Sequence, residues 1–196
     1  MRIIIFGSGG QAGIELVTRA LARGHRVTAF ARDPESLGLQ HPCLVLARGD
    51  VLDGASIRVG LAGQEAAISM LALGRGAGGL LLAEGMANLV QALQDTGVRR
   101  FICRSELGAG DGRDRSGWLR RAAHDPLHWK ARAAELGIVE GTVKASALEW
   151  TIVRTGELGG GGGRAEISRR KAVDFILGVL ETGVCVRQTV EVGGNL

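Results

Sequence analysis

Four glycines near the amino terminus, Gly7, Gly9, Gly10 and Gly13, follow the apolar run Ile3-Ile4-Ile5-Phe6 and open a helical pattern of Ile14, Val17 and Leu21. The spacing Gly7-x-x-Gly10-x-x-Gly13, set between a strand and a helix, has a defined chemistry. The first glycine makes a tight turn, the second lets the backbone approach a diphosphate, and the third lets the helix pack on the sheet. The helix N-terminus then offers unpaired N–H groups and a partial positive charge to phosphate oxygens. Gly7, Ser8, Gly10, Gln11, Ala12 and Gly13 are therefore the residues expected to hold the diphosphate of a dinucleotide. Arg32 closes the next apolar run, residues 27–31. An acid at that strand end would bond a free ribose 2′-hydroxyl, whereas an arginine suits a 2′-phosphate. Arg32 thus favours NADP over NAD. Asp33 directly after it is the competing signal, for which a turn or cap role beside Pro34 is the plain alternative. Asp50 and Val51, after the third apolar run, are placed to border the adenine; for Asp50 an ordinary turn role stands beside that one.

Other chemistries are excluded by what the chain lacks. It contains no tyrosine, and aromatic residues make up only 4% of it, so the core must be aliphatic. The cysteines Cys43, Cys103 and Cys185 are scattered and form no C-x-x-C pair, which argues against a disulfide framework or a zinc site and fits a reducing cytosol. A net charge of +4 is too small to argue for nucleic acid. No signal-like segment stands at the start and no apolar run approaches a membrane span, so the expectation is a cytoplasmic protein with no membrane partner.

These groups need a scaffold, and the 196-residue chain supplies one by alternating strand and helix patterns. Strands are expected over residues 2–6, 27–31, 43–47, 66–71, 101–104 and 150–153, with a last one over 186–192. Helices are expected over 11–23, 54–61, from Leu82 to about Gly97, up to Ser146, and through Ala172, Val173, Ile176, Leu177 and Leu180 with Ser168 as N-cap. Parallel strands need helix-length crossovers, so the fold class is α/β, a single-domain Rossmann-like doubly wound parallel sheet spanning 1–196. A variable substrate-side segment falls at about 106–135, and Gly159 to Gly163 form a glycine loop.

The stretches IIIFGSGGQAGIELV, ALARGHRVTAFARDP, GDVLDGASI, LAGQEAAIS, GVRRFICRSELGAGD and ALEWTIVRTGEL together resemble the atypical short-chain dehydrogenase/reductases. Within these the chain is similar to the NAD(P)H-binding group that includes biliverdin IXβ reductase (flavin reductase) and the NmrA-like proteins. The resemblance implies a Rossmann fold that binds NADP and, in many members, reduces a flavin, quinone or tetrapyrrole-like acceptor. It also implies a serine after the fifth strand, here Ser105, as the catalytic candidate. Glu106 stands where a second serine is frequent. Leu136 stands where many relatives carry a histidine or lysine. Val153-Arg154-Thr155-Gly156 replaces Val-Arg-Pro-Gly. The Tyr-x-x-x-Lys pair of typical short-chain dehydrogenases is excluded by the missing tyrosine.

Leu71, Ala72, Ser105 and Thr155 join the residues expected at the cofactor, and Met70, Arg104 and Glu106 are further candidates to line an acceptor pocket. The cofactor carries the hydride chemistry, and the protein supplies position and electrostatics. His124 and His128, and the arginines Arg113, Arg115, Arg120 and Arg121, are read first as surface groups; a proton source and an anion-attracting lip are their functional alternatives. Trp118 and Trp129 have a planar ligand as the alternative to anchoring a loop. Two functions stand side by side. One is an NADP-dependent oxidoreductase acting on a small planar, aromatic molecule. The other is a non-catalytic NAD(P)-binding sensor or regulator of the NmrA-like type. Either way the partner is a small molecule, and the chain is expected as a monomer or homodimer.

Overall fold

The computed structural model describes residues 1–72, 81–107, 126–156, 158 and 163–192, with the side chains of 126–129 and 163–165 left aside. Seven strands form one sheet: β1 (Arg2–Phe6), β2 (Arg26–Ala31), β3 (Leu44–Arg48), β4 (Ala66–Ser69), β5 (Arg100–Glu106), β6 (Glu149–Thr155) and β7 (Gln188–Val192). Among the described residues five α-helices accompany them: α1 (Gln11–Ala22), α2 (Gly54–Leu61), α3 (Leu81–Thr96), α4 (Pro126–Ala145) and α5 (Gly163–Thr182). The strand order is β3-β2-β1-β4-β5-β6-β7 and every pairing is parallel. This is the doubly wound Rossmann-like arrangement.

The inner strands are apolar on both faces because both are covered. Ile3 and Ile5 of β1 point into one core with Val17 of α1 and Val173, Ile176 and Leu177 of α5. Ile4 and Phe6 point the other way, into a core with Ile57 of α2, Leu89 of α3 and Val143 of α4. Register is set by this alternation, with Ile3 opposite Val27 and Phe6 opposite Phe30, whose rings meet at 4.9 Å between centroids.

Two expectations are corrected. β4 ends at Ser69 rather than Leu71, because the chain turns after Met70 donates its N–H to Phe6. Ser168 does not cap a helix. It lies exposed inside α5, which begins at Gly163, so the last residue of the expected glycine loop already belongs to the helix. Residues 159–162 of that loop, and most of the expected variable segment, lie outside the described residues. The end of that segment forms α4, with Pro126 in its first position, where the missing proline N–H costs no intrahelical bond.

Candidate active site at the carboxyl ends of the strands

β1 and β4 are neighbours, yet α1 leaves β1 toward one face of the sheet and α3 leaves β4 toward the other. Their diverging connections open a crevice, the switch point at which open α/β sheets bind ligands. A cavity of about 610 Å³ occupies it. Its walls include Gly7, Gly9 and Gly10 from the first turn, Arg32, Asp33 and Ser36 after β2, Asp50 and Val51 after β3, Met70, Leu71 and Ala72 after β4, and Leu81, Leu82 and Glu135 from α3 and α4.

The turn's shape depends on its glycines. Gly7 has φ +78°, and a Cβ there would stand 2.9 Å from the Leu71 nitrogen. At Gly13 an added Cβ would overlap the Gly7 carbonyl and the Ser8 backbone, so α1 can sit this close to the turn only without a side chain. The α1 N-cap is Gly10; no side chain caps the helix and its first turn carries no acid. The helix N-terminus therefore faces the crevice without an internal anion, as a phosphate group requires. Ser8 is buried, and its hydroxyl donates to the Phe30 carbonyl at 3.0 Å, tying the turn to β2. Gln11 accepts from Arg169 of α5 at 3.2 Å.

At the β2 end, the charges are already sorted. Arg48 Nη2 sits 2.7 Å from Glu35 and 3.7 Å from Asp33. Arg32 is exposed at the cavity rim and has no hydrogen-bond or ion-pair partner among the described residues. The Asp50 carboxylate accepts the Leu52 N–H at 3.0 Å, the turn role foreseen for it, while the residue also lines the cavity.

The β5–β6 end is different. Ser105 is 1% exposed, does not line the cavity, and its hydroxyl forms no hydrogen bond of good geometry. Thr155 is buried as well; its hydroxyl accepts from Arg104 Nε at 3.1 Å. Glu106 is gripped by Arg132 at 3.0 and 2.7 Å and lies 3.5 Å from Arg104. Beneath them, Arg154 of β6 makes a two-pronged pair with Glu140 of α4, at 2.9 and 2.7 Å, with side chains only 4% and 2% exposed. Burial alone would raise the Glu140 pKa. The hydrogen bonds and charge of Arg154, with a hydrogen bond from Lys144, outweigh it and hold the carboxyl below its ordinary range. Cys103, on the same strand face, is fully buried and its thiol is pushed up to about 12 by burial, so it is inert at neutral pH.

Of the residues expected at the cofactor, Gly7, Gly10, Arg32, Asp50, Val51, Leu71 and Ala72 meet around one cavity, whereas Ser8, Gln11, Ala12, Gly13, Ser105 and Thr155 do not line it. His124, Trp118, the four arginines 113, 115, 120 and 121, and the side chains of His128 and Trp129 lie outside the described residues. The sequence reading passed over Glu135 and Glu140. A signal for the second was present: Leu136, Val139, Glu140 and Val143 recur at helical spacing, which places a carboxylate on a core-facing stripe. Leu136 itself is buried. Among the described residues no helix is long and apolar enough to cross a membrane.

Residues 7–180 match the family described as NAD(P)H-binding. A 3-beta-hydroxysteroid dehydrogenase of Mycolicibacterium neoaurum is 34% identical over 113 residues, 52% of this chain and 31% of its own length. A 3-diazoavenalumate denitrifying reductase of a Streptomyces species is 30% identical over 179 residues, 83% of this chain and 58% of its own length. The chain thus spans about a third of the first relative and little over half of the second. Among solved structures, an oxidoreductase of Lactococcus lactis superposes with TM-score 0.81 at 21% identity, covering 100% of this chain and 91% of its own. A short-chain dehydrogenase/reductase of Veillonella parvula in complex with NADP has TM-score 0.76 at 20% identity, covering 98% and 94%. An anaerobilin reductase of Escherichia coli O157:H7 has TM-score 0.74 at 18% identity, covering 100% and 98%. At these identities the structural likeness is one of fold.

Proposed function

The chain belongs to the NAD(P)H-binding family, within the atypical short-chain dehydrogenase/reductases, and from that premise we propose that it is an NADP-dependent oxidoreductase acting on a small planar acceptor such as a flavin or quinone. When bound, the reduced nicotinamide supplies a hydride. The chain's residues do the rest. The uncapped start of α1 and the bare backbone at Gly9 and Gly10 receive the diphosphate. Arg32 pairs with the 2′-phosphate. Val51 flanks the adenine, and Met70, Leu71 and Ala72 keep water from the reacting end. Fit is supported by the cradle itself, since a side chain at Gly7 or Gly13 would collide with backbone.

The observation that carries the preference for NADP is the sorting of charge after β2. Asp33, the acid that would favour NAD, lies beside Arg48, while Arg32 keeps its guanidinium for a ligand. The decisive experiment titrates NADPH and NADH separately by calorimetry, then follows nicotinamide absorbance with flavin and quinone acceptors. NADPH is expected to bind at least ~10-fold tighter, as one charge-assisted contact of ~1.5–3 kcal/mol implies. Equal affinities would refute the role given to Arg32.

A second reading, the non-catalytic nucleotide sensor, is favoured by one observation: Ser105 is buried and does not line the cavity, and Leu136 is apolar, so neither offers the cavity a proton. Tight NADPH binding with no turnover of any acceptor would select it.

A further inference from the structure

One ionisable side chain faces the cavity from the side opposite Arg32, and neither the family nor the sequence pattern assigns it. Glu135 of α4 is 6% exposed, and lines the cavity beside Leu81 and Leu82. The strand order puts β1 and β4 between β2, which ends at Arg32, and the β5–β6 pair that α4 connects. Leu82 is bonded to it, and Leu81, Met70 and Leu71 add apolar surface to the same cavity. A carboxylate withdrawn from water in such a setting needs hydrogen bonds. One is present: Glu135 Oε1 accepts the Leu82 N–H at 2.9 Å, in the first turn of α3. That bond fixes the orientation of the carboxyl group at the start of α3. Oε2 has no hydrogen-bond or ion-pair partner among the described residues. Arg132, one turn before it on α4, is held by Glu106.

We propose that Glu135 is the specificity-determining acceptor of this end of the cavity: its second oxygen receives an N–H from the ring edge of the bound acceptor molecule. The inference rests on the reading of the cavity as cofactor and acceptor site, and it narrows that reading. A planar heterocycle with an imide or lactam N–H satisfies the carboxylate. A quinone, whose edge carries only hydrogen-bond acceptors, leaves the carboxylate unpaired and repels it. A buried site built to bond a donor rejects an analogue lacking that donor far more strongly than an apolar wall rejects a small change of shape.

Lumiflavin and 3-methyllumiflavin test this, because they differ only in whether the imide nitrogen carries hydrogen. Their binding to protein saturated with NADP⁺ is read by quenching of flavin fluorescence, with melting temperature as the check on folding. Native protein is expected to bind lumiflavin ~10-fold or more tightly than its methyl analogue, in line with a hydrogen bond to a charged group. Glu135→Gln can keep the Leu82 bond through its amide oxygen, but then turns an N–H toward the ligand. Its preference is expected to collapse to within ~2-fold, since the donor is no longer met by an acceptor. Glu135→Ala is expected to lose the preference and some melting temperature together. Retention of the native preference by Glu135→Gln overturns the inference. So does failure of NADP⁺-loaded native protein to bind lumiflavin. If native protein binds no nicotinamide nucleotide at all, the reading of the cavity fails and takes this inference with it.

Discussion

The β1–β2 end and the β5–β6 end of the same sheet treat polar groups in opposite ways. At the first, the helix N-terminus is uncapped, the turn is bare backbone, and Arg32 is exposed without a partner among the described residues. At the second, Arg104 and Arg132 bind Glu106, and Arg154 binds Glu140, in two largely buried groups. The first end leaves hydrogen-bonding capacity for a ligand; the second satisfies it within the protein. The difference teaches where substitutions act. Changes at the first end should be felt in binding, and changes at the second in folding.

The sharpest way to break this contrast is Glu140→Ala. It removes the two-pronged partner of a buried guanidinium that keeps Glu191 at 3.5 Å, and the expected loss is up to ~3–5 kcal/mol of stability, because breaking a buried pair costs far more than the pair contributes. Chemical denaturation measures it, and replacing Glu140 and Arg154 together by apolar residues should recover most of the loss. A loss below ~1 kcal/mol would mean that the remaining contacts of Arg154, Glu191 among them, suffice to hold it. Next in size is Gly13→Ala. Overpacking of a tight contact costs ~1–3 kcal/mol, and here the contact is backbone, so the melting temperature should fall and nucleotide affinity with it. Arg32→Ala should leave stability unchanged and lower NADPH affinity ~10- to 100-fold, with little effect on NADH, as loss of a charge-assisted phosphate contact implies. A fall in both nucleotides alike would erase the distinction between the two ends. Ser105→Ala should alter NADPH affinity less than ~2-fold, because a buried hydroxyl without a good partner leaves little to lose.

A pH experiment sharpens the same contrast. The folded pKa of Glu140 is depressed, so its contribution to stability is fully present above the unfolded carboxyl value. It is lost as pH falls through the lower folded value, and Glu140→Gln should flatten the acid limb of the stability curve. NADPH affinity measured above that window should not follow this limb if the two ends are separate.

The fold was legible in the sequence because its signals are local. Apolar runs of strand length alternate with helical stripes, and Gly24 and Gly97, both at positive φ, close α1 and α3. The glycine turn was legible for the same reason: the strand, the turn and the helix are adjacent along the chain. Boundaries were less so. Ser168 carried a cap residue's chemistry but lay one turn inside α5, since helix propensity does not say where a helix stops when glycines flank it. Ser105 was readable as a strand-end hydroxyl. Its burial beneath α4 was not, because that depends on a helix more than twenty residues away.

What the sequence determined by itself was the alternating scaffold, the bare glycine turn and the guanidinium after β2, all products of short-range order. Only the tertiary structure decided which polar groups remain available. It placed Arg48 beside Asp33, joined Glu140 to Arg154, and carried Glu135 to the start of α3. Such pairings join residues far apart in the chain. The buried pair Glu140–Arg154 is chosen by the free-energy cost of leaving a buried charge unpaired, and that cost exists only once the sheet and helices have closed around it.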